Sequence, residues 1–294
     1  MNDSLLGELL LPLAVAVIMF GLGLSLTLND FARAIRRPRI VLIALVCQFV
    51  VVPLIGIALI LTIPLEPAVA VGVMLLVATP GGTLANMYSH MCGADVALNL
   101  TLTAITSVIS AFTIPLFINV SASYLMGNEP GIGIQAGELP QVMGIVLVPV
   151  ALGMLTRRLL PRFAERAAKP VKVLSVITLA TAVAAAIVSE WEGLSEAFSV
   201  VGIVVTVLLA ASLAVAYVVP RWFKVPERQA VAVSFEIGLH NTPLAIAIAM
   251  SPQILNDAKM AFAPATYSIV AIIGGGVFAY LMSRRLEGLK ASQT

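Results

Sequence analysis

Apolar runs of about 20 residues recur along nearly all of this chain, and nothing constrains its fold more. As a helix, one such run matches the roughly 30 Å hydrocarbon thickness of a bilayer. A soluble domain carries roughly 25% charged residues. Here the share is 11% of 294 residues, against 60% hydrophobic, and the mean hydropathy is +1.04. The sequence has no run of short alternating segments of the kind a membrane β-barrel needs. The expectation is an all-α polytopic membrane protein of one domain, 1–294, with no soluble appendage.

Breaks of charge, Pro and Gly divide the runs into nine expected spans: roughly 9–28, 40–61, 68–91, 96–118, 140–159, 171–189, 198–219, 230–250 and 264–283. The first run follows Asp3 and Glu8 with no Lys or Arg before it, so it reads as a retained helix rather than a secretory signal. Cys47 and Cys92 lie in or beside apolar runs and suggest neither a disulfide framework nor a metal site. The links after spans one, five and seven, with the C-terminal tail, hold 16 of the 17 basic residues; only Lys259 lies elsewhere. With nine spans these four segments fall on one side, while Glu66, Glu129, Glu138, Glu190, Glu192, Glu196 and Asp257 fall on the other. The positive-inside rule then expects the N-terminus outside and the C-terminus in the cytoplasm.

Most spans are plain Val, Ile, Leu and Ala, but two are not. The third contains Pro80-Gly81-Gly82 at mid-span, with Thr83 expected to cap a restarted helix and Asn86 in its first turn. The eighth contains "FEIGLHNTPLA", where Gly238 is expected to break the helix, Asn241 or Thr242 to cap the restart, and Pro243 to sit in its first turn. A single Pro or Gly in a membrane helix is often only a kink. Breaks at matching positions in two halves of a chain instead point to the binding site of a secondary transporter. A break frees carbonyls for a cation, and a restarted half-helix offers N–H groups to an anion. Glu236, His240 and Asn241 cluster at the second break. An intramembrane carboxylate is costly and defaults to a functional reading, although a protonated carboxyl bonded to a neighbouring helix is the plain alternative. His240 alone fits a core histidine, and Gln48 and Thr103 alone fit ordinary interhelical hydrogen bonding.

The segments "CQFVVVPL" (47–54), "PGGTLANMYSHMCGADVALNLTLT" (80–103) and "FEIGLHNTPLA" (235–245), together with "IMFGLGLSL" (18–26), resemble the bile acid:sodium symporter family, in particular its bacterial members. The resemblance covers nearly the whole chain. It implies inverted repeats, here about 9–126 and 138–286, divided into core and panel domains, with two discontinuous helices crossing in the core. Ten-helix members carry one further N-terminal helix, so nine spans agree with an outside N-terminus. The resemblance also implies two sodium sites that share Glu236. The first involves the positions of Ala85, Asn86, Asn99 and Thr103. Ala85 lacks the family's hydroxyl there, and Asn99 offers an amide instead. The second involves Gln48, the backbone carbonyls near Ile237 and Leu239, and His240, where the family has a Gln. Substrate contacts are implied at the half-helix starts, Gly82, Thr83 and Asn241. The last helix has Ile272-Ile273 where some bacterial relatives have a His-Asn pair.

The function expected is a secondary active transporter in a bacterial-type inner membrane. It imports a small organic anion by alternating access, coupled to sodium, with no cofactor and no nucleic-acid partner. A proton-coupled or passive carrier or channel of the same fold is the alternative. An intramembrane hydrolase built on Glu236 and His240 is disfavoured, because neither a metal-binding HExxH motif nor a Ser–His pairing can be placed.

Overall fold

A computed structural model of the chain describes residues 16–127, 139–167, 170, 171, 173, 191–251 and 254–291. Among these residues every regular element of more than a single bridge is helical. In chain order the principal ones are α1 (Ala16–Ser25), α2 (Leu28–Arg36), α3 (Pro38–Thr62), α4 (Pro67–Ala78), α5 (Thr83–Met91), α6 (Val96–Leu125), α7 (Leu139–Leu159), α8 (Trp191–Trp222), α9 (Glu227–Gly238), α10 (Thr242–Met250) and α11 (Phe262–Ala291).

Among the described residues four stretches, Pro38–Thr62, Val96–Leu125, Ser199–Trp222 and Lys259–Gly288, are long and apolar enough to cross a bilayer. They coincide with the second, fourth, seventh and ninth expected spans. α1 and α7 fall on the first and fifth; residues 9–15 lie outside the described residues, as does nearly all of the sixth, 171–189. The third and eighth expected spans are each two short helices. α4 and α9 have 12 residues and α5 and α10 have nine, so no one of the four alone covers a bilayer of about 30 Å. Large apolar side chains such as Leu42, Leu54, Phe112, Leu116, Ile203 and Ile273 are exposed on the long helices. An outer surface of this kind suits lipid rather than water.

Local sequence explains the shape of α3. Pro38 opens it, where a missing N–H costs nothing. Pro53 then removes a donor that would reach Phe49, and the helix widens at Cys47–Val51 into a π-turn in which the Val52 N–H reaches the Cys47 carbonyl. Gln48 sits in that turn, fully buried.

The links sort by end. At one end Arg37 pairs with Asp95 at 2.9 Å, Arg39 donates to the Phe223 carbonyl at 3.0 Å, and Arg228 donates to the Gly93 carbonyl at 2.8 Å. Glu227, nine-tenths buried, pairs there with Arg221 at 3.0 Å and Arg285 at 2.6 Å. At the other end Lys259 pairs with Glu66 at 2.5 Å. These contacts join only links that the charge pattern puts on the same side. The segregation read from the sequence is therefore a segregation in space.

Candidate functional site

The two broken spans meet at their breaks. Gly81 and His240 form an isolated antiparallel β-bridge. The Asn241 N–H, which in an unbroken helix returns to Ile237, donates instead to the Pro80 carbonyl at 2.9 Å. The Gly82 N–H, which otherwise returns to Ala78, donates to the Leu239 carbonyl at 3.1 Å. Each break thus satisfies a backbone group of the other, as non-helical backbone inside a membrane must be satisfied. The exchange also leaves the Ile237 carbonyl without its helical donor. The crossing is close. A β-carbon on Gly81 would overlap the Glu236 carboxylate and its backbone carbonyl, so only glycine fits.

The helix stops where the sequence placed the break: Gly238 is the last residue of α9, and the non-helical stretch covers Leu239 to Asn241. The absent side chain also admits α8, because a β-carbon there would come within 2.8 Å of Leu213 Cγ. One expectation about the breaks is corrected by this geometry. Thr83 does not cap α5. Gly82 is the N-cap, and Thr83 is the first helical residue and exposed. Asn241 does cap α10, its Oδ1 accepting the Leu244 N–H at 3.1 Å, and Pro243 lies in the first turn.

Glu236 is fully buried. Its Oε2 accepts from the Thr103 hydroxyl at 2.6 Å and its Oε1 from the Thr106 hydroxyl at 3.2 Å, both on α6. Thr106 was not singled out from the sequence. It stands three residues after Thr103 on the same helical face, and that spacing is the signal that would have found it. Asn99, one turn before Thr103, donates its Nδ2 to Ser89 Oγ and to the Ala232 carbonyl, each at 3.0 Å. Gln48 donates to the carbonyls of Val77 at 3.2 Å and Thr79 at 2.9 Å, tying the π-turn of α3 to the end of α4. The side-chain oxygens of Gln48, Asn86 and Asn99 are buried and find no donor among the described residues. Ala85 is buried and contributes no polar atom. The Tyr267 hydroxyl, on α11, donates to the Gly238 carbonyl, a contact that nothing in the sequence signalled.

His240 is buried, with its ring centroid 5.6 Å from that of Tyr267. The Thr79 carbonyl is the backbone acceptor beside it, yet neither ring nitrogen makes a hydrogen bond of ordinary geometry among the described residues. Among those residues no three of His, Cys, Asp and Glu come together. The crossing therefore combines one carboxylate with neutral oxygens and the His240 imidazole. Such a set matches a hard cation of low charge.

A protein-family model described as "Sodium Bile acid symporter family" matches residues 12–197. The chain belongs to that family. Family relatives align over nearly its whole length. The "Uncharacterized sodium-dependent transporter YocS" of Bacillus subtilis (strain 168) is 24% identical over 94% of this chain and 84% of its own. The "Ileal sodium/bile acid cotransporter" of Oryctolagus cuniculus is 25% identical over 95% and 80%. The "Probable sodium/metabolite cotransporter BASS2, chloroplastic" of Oryza sativa subsp. japonica is 25% identical over 96% of this chain and 65% of its own length. These relatives are named as transporters, not enzymes, and the expected membership of the family is correct.

Proposed function

We propose that this protein is a secondary active transporter that moves a small organic anion inward with sodium. One observation carries the reading: Glu236 lies buried where two broken helices cross, with the buried amide oxygens of Gln48, Asn86 and Asn99 left without donors. A buried carboxylate held by two hydroxyls retains oxygen valence for a cation, and unpaired buried carbonyl oxygens are costly unless something fills their coordination.

Glu236, Asn86, Asn99 and Thr103 would hold one sodium ion. Gln48, the carbonyls of Ile237 and Leu239, and His240 line the second position that the family resemblance implies. Gly82, Thr83 and Asn241 stand at the starts of α5 and α10, where N–H groups and helix dipoles favour an anion. The chain is taken to cross the bacterial inner membrane nine times, with its N-terminus outside, and to form one domain of two inverted repeats, about 9–126 and 138–286. Core and panel helices would rock around the crossing to expose it to each side in turn.

Sodium chloride, against choline chloride, should raise the melting temperature of the purified protein by mass action. Glu236→Gln should abolish that rise and uphill uptake into proteoliposomes, while leaving a monodisperse protein. Full uphill transport by Glu236→Gln would falsify the cation role. Uptake driven by a proton gradient alone would replace sodium with the proton, and uptake that never exceeds equilibrium would make the protein a passive carrier or channel. A cysteine replacing Lys259 should react with an impermeant thiol reagent from outside, and one replacing Arg166 should not. The reverse pattern overturns the orientation.

A further inference from the structure

One short helix has its polarity the wrong way round for water. α2 joins α1 to α3, through Leu26 and Thr27 on one side and the single residue Arg37 on the other. Its buried side is polar. Asp30, 3% exposed, accepts from the Thr27 N–H at 2.7 Å and the Thr27 hydroxyl at 2.6 Å, and pairs with Arg33 at 2.8 Å. Its outward side is apolar. Leu28, Ala32 and Ile35, four and three residues apart, share one face, and Leu28 is 58% and Ile35 81% exposed. A surface helix in water turns its apolar stripe inward. α2 is anchored the other way, because Arg37 pairs with Asp95 at the start of α6 and Arg33 donates to the Ala97 carbonyl at 3.4 Å. Short links hold α2 where α1 and α3 end, so its outward face meets the boundary layer of the bilayer, which suits an apolar stripe.

The charges beside α2 point to one kind of lipid. Arg39, at the start of α3, donates to the Phe223 carbonyl at 3.0 Å, which sets the corner between α2 and α3 against the link between α8 and α9. That link presents Trp222, 78% exposed, with Phe223 and Lys224 exposed after it. An open Trp ring suits the level of the lipid headgroups. Lys224 has a φ of 59° and forms the left-handed cap of α8: its N–H donates to the Arg221 carbonyl at 2.9 Å and the Val225 N–H to the Pro220 carbonyl at 3.0 Å. Glycine takes that position most easily, so the chain keeps a cation where its backbone favours no side chain. The side chains of Arg36 and Lys224 are exposed and make no hydrogen bond or ion pair among the described residues. The carboxylates on the elements around the corner are already paired, Asp30 with Arg33, Asp95 with Arg37, and Glu227 with Arg221 and Arg285.

We propose that this corner, the outward face of α2 together with Arg36, Arg39, Trp222 and Lys224, is a docking surface for anionic phospholipid. The stripe of Leu28, Ala32 and Ile35 lies against acyl chains, and Arg36 and Lys224 take phosphate oxygens of the headgroup, to which an arginine presents two parallel N–H donors. A zwitterionic lipid carries its own cation beside the phosphate. An anionic one such as phosphatidylglycerol does not, so two cations without partners favour the anionic headgroup. The inference does not depend on the role of Glu236; it needs only a chain that spans a bilayer.

The test uses the full chain carrying Trp191→Phe, which leaves Trp222 as its one tryptophan. The protein is reconstituted in vesicles of equal parts phosphatidylcholine and phosphatidylglycerol, with bromine on the acyl chains of one lipid or the other. Both should quench the Trp222 fluorescence, and brominated phosphatidylglycerol should quench it severalfold more strongly. Adding Arg36→Gln and Lys224→Gln, both at exposed positions, should make the two lipids quench equally. Ile35→Glu, which puts a carboxylate on the outward face of α2, should weaken the preference as well. Arg158→Gln with Arg162→Gln, exposed cations at and after the end of α7, should leave it unchanged, since α7 packs against α1 and α6. Absence of quenching by either lipid would place the corner against water or another protein and overturn the proposal. Equal quenching before any charge is removed overturns it too, as does a preference that survives Arg36→Gln with Lys224→Gln or is untouched by Ile35→Glu. A preference lost equally with Arg158→Gln and Arg162→Gln would reduce it to a general attraction of the basic end and sink the docking surface.

Discussion

The two breaks that meet at the crossing have the same backbone form and opposite chemistry. The first, Pro80-Gly81-Gly82, contributes almost no side chain: Gly82 caps α5 through its backbone conformation alone, and Gly81 is bare so that Glu236 fits against it. The second, Leu239 to Asn241, begins three residues after Glu236, contains His240, and caps its own restarted helix with the Asn241 amide. One break supplies room and the other supplies the groups that fill it. Two breaks of similar form therefore yield an asymmetric site, and the same substitution should have different consequences on its two sides.

The largest effect is expected where room is lost. Gly81→Ala places a methyl group on the Glu236 carboxylate and on backbone, neither of which can yield without opening the bridge. The variant should lose both transport and monodispersity in size-exclusion chromatography, whereas Glu236→Gln should lose transport only. A folded, active Gly81→Ala protein would break the comparison. Next, Asn241→Leu removes the side chain that caps the restarted helix α10. It should cost about 1 kcal/mol of stability and weaken substrate binding by roughly 1–3 kcal/mol, read from melting temperature and from substrate titration by calorimetry. The smallest effect belongs to Thr83→Val. Its hydroxyl is exposed and caps nothing, so stability should change by less than about 0.5 kcal/mol. If Thr83→Val and Asn241→Leu destabilise equally, the two helix starts are equivalent after all.

How far the sequence could be read depended on how local each cause was. The breaks were legible because Pro-Gly-Gly and Asn-Thr-Pro act on their own backbone. The charge sides were legible because they rest on a sum over many residues, and Arg37–Asp95 and Glu66–Lys259 join the links accordingly. Glu236 and Gln48 stood out as polar groups in apolar runs, Asn99 only through the family resemblance, and all three are buried at or beside the crossing. What escaped was set by neighbours. The helix does stop at Gly238, but the close approach of Leu213 to that glycine has no local signal. The Tyr267 hydroxyl on the Gly238 carbonyl escaped for the same reason. Thr83 looked like a cap because Ser and Thr usually cap, yet an extended Gly82 already occupies that position.

The exchanged backbone bonds between the breaks also bear on how the chain is made. Gly82 emerges from the ribosome long before Leu239, the residue whose carbonyl its N–H needs, and Pro80 waits equally long for Asn241. Until the later half arrives, the first break sits in or near the bilayer with polar backbone that only water or a chaperone can satisfy. The nascent first half is then an unfinished joint rather than a folded unit, and its bonds can close only after its counterpart has been made.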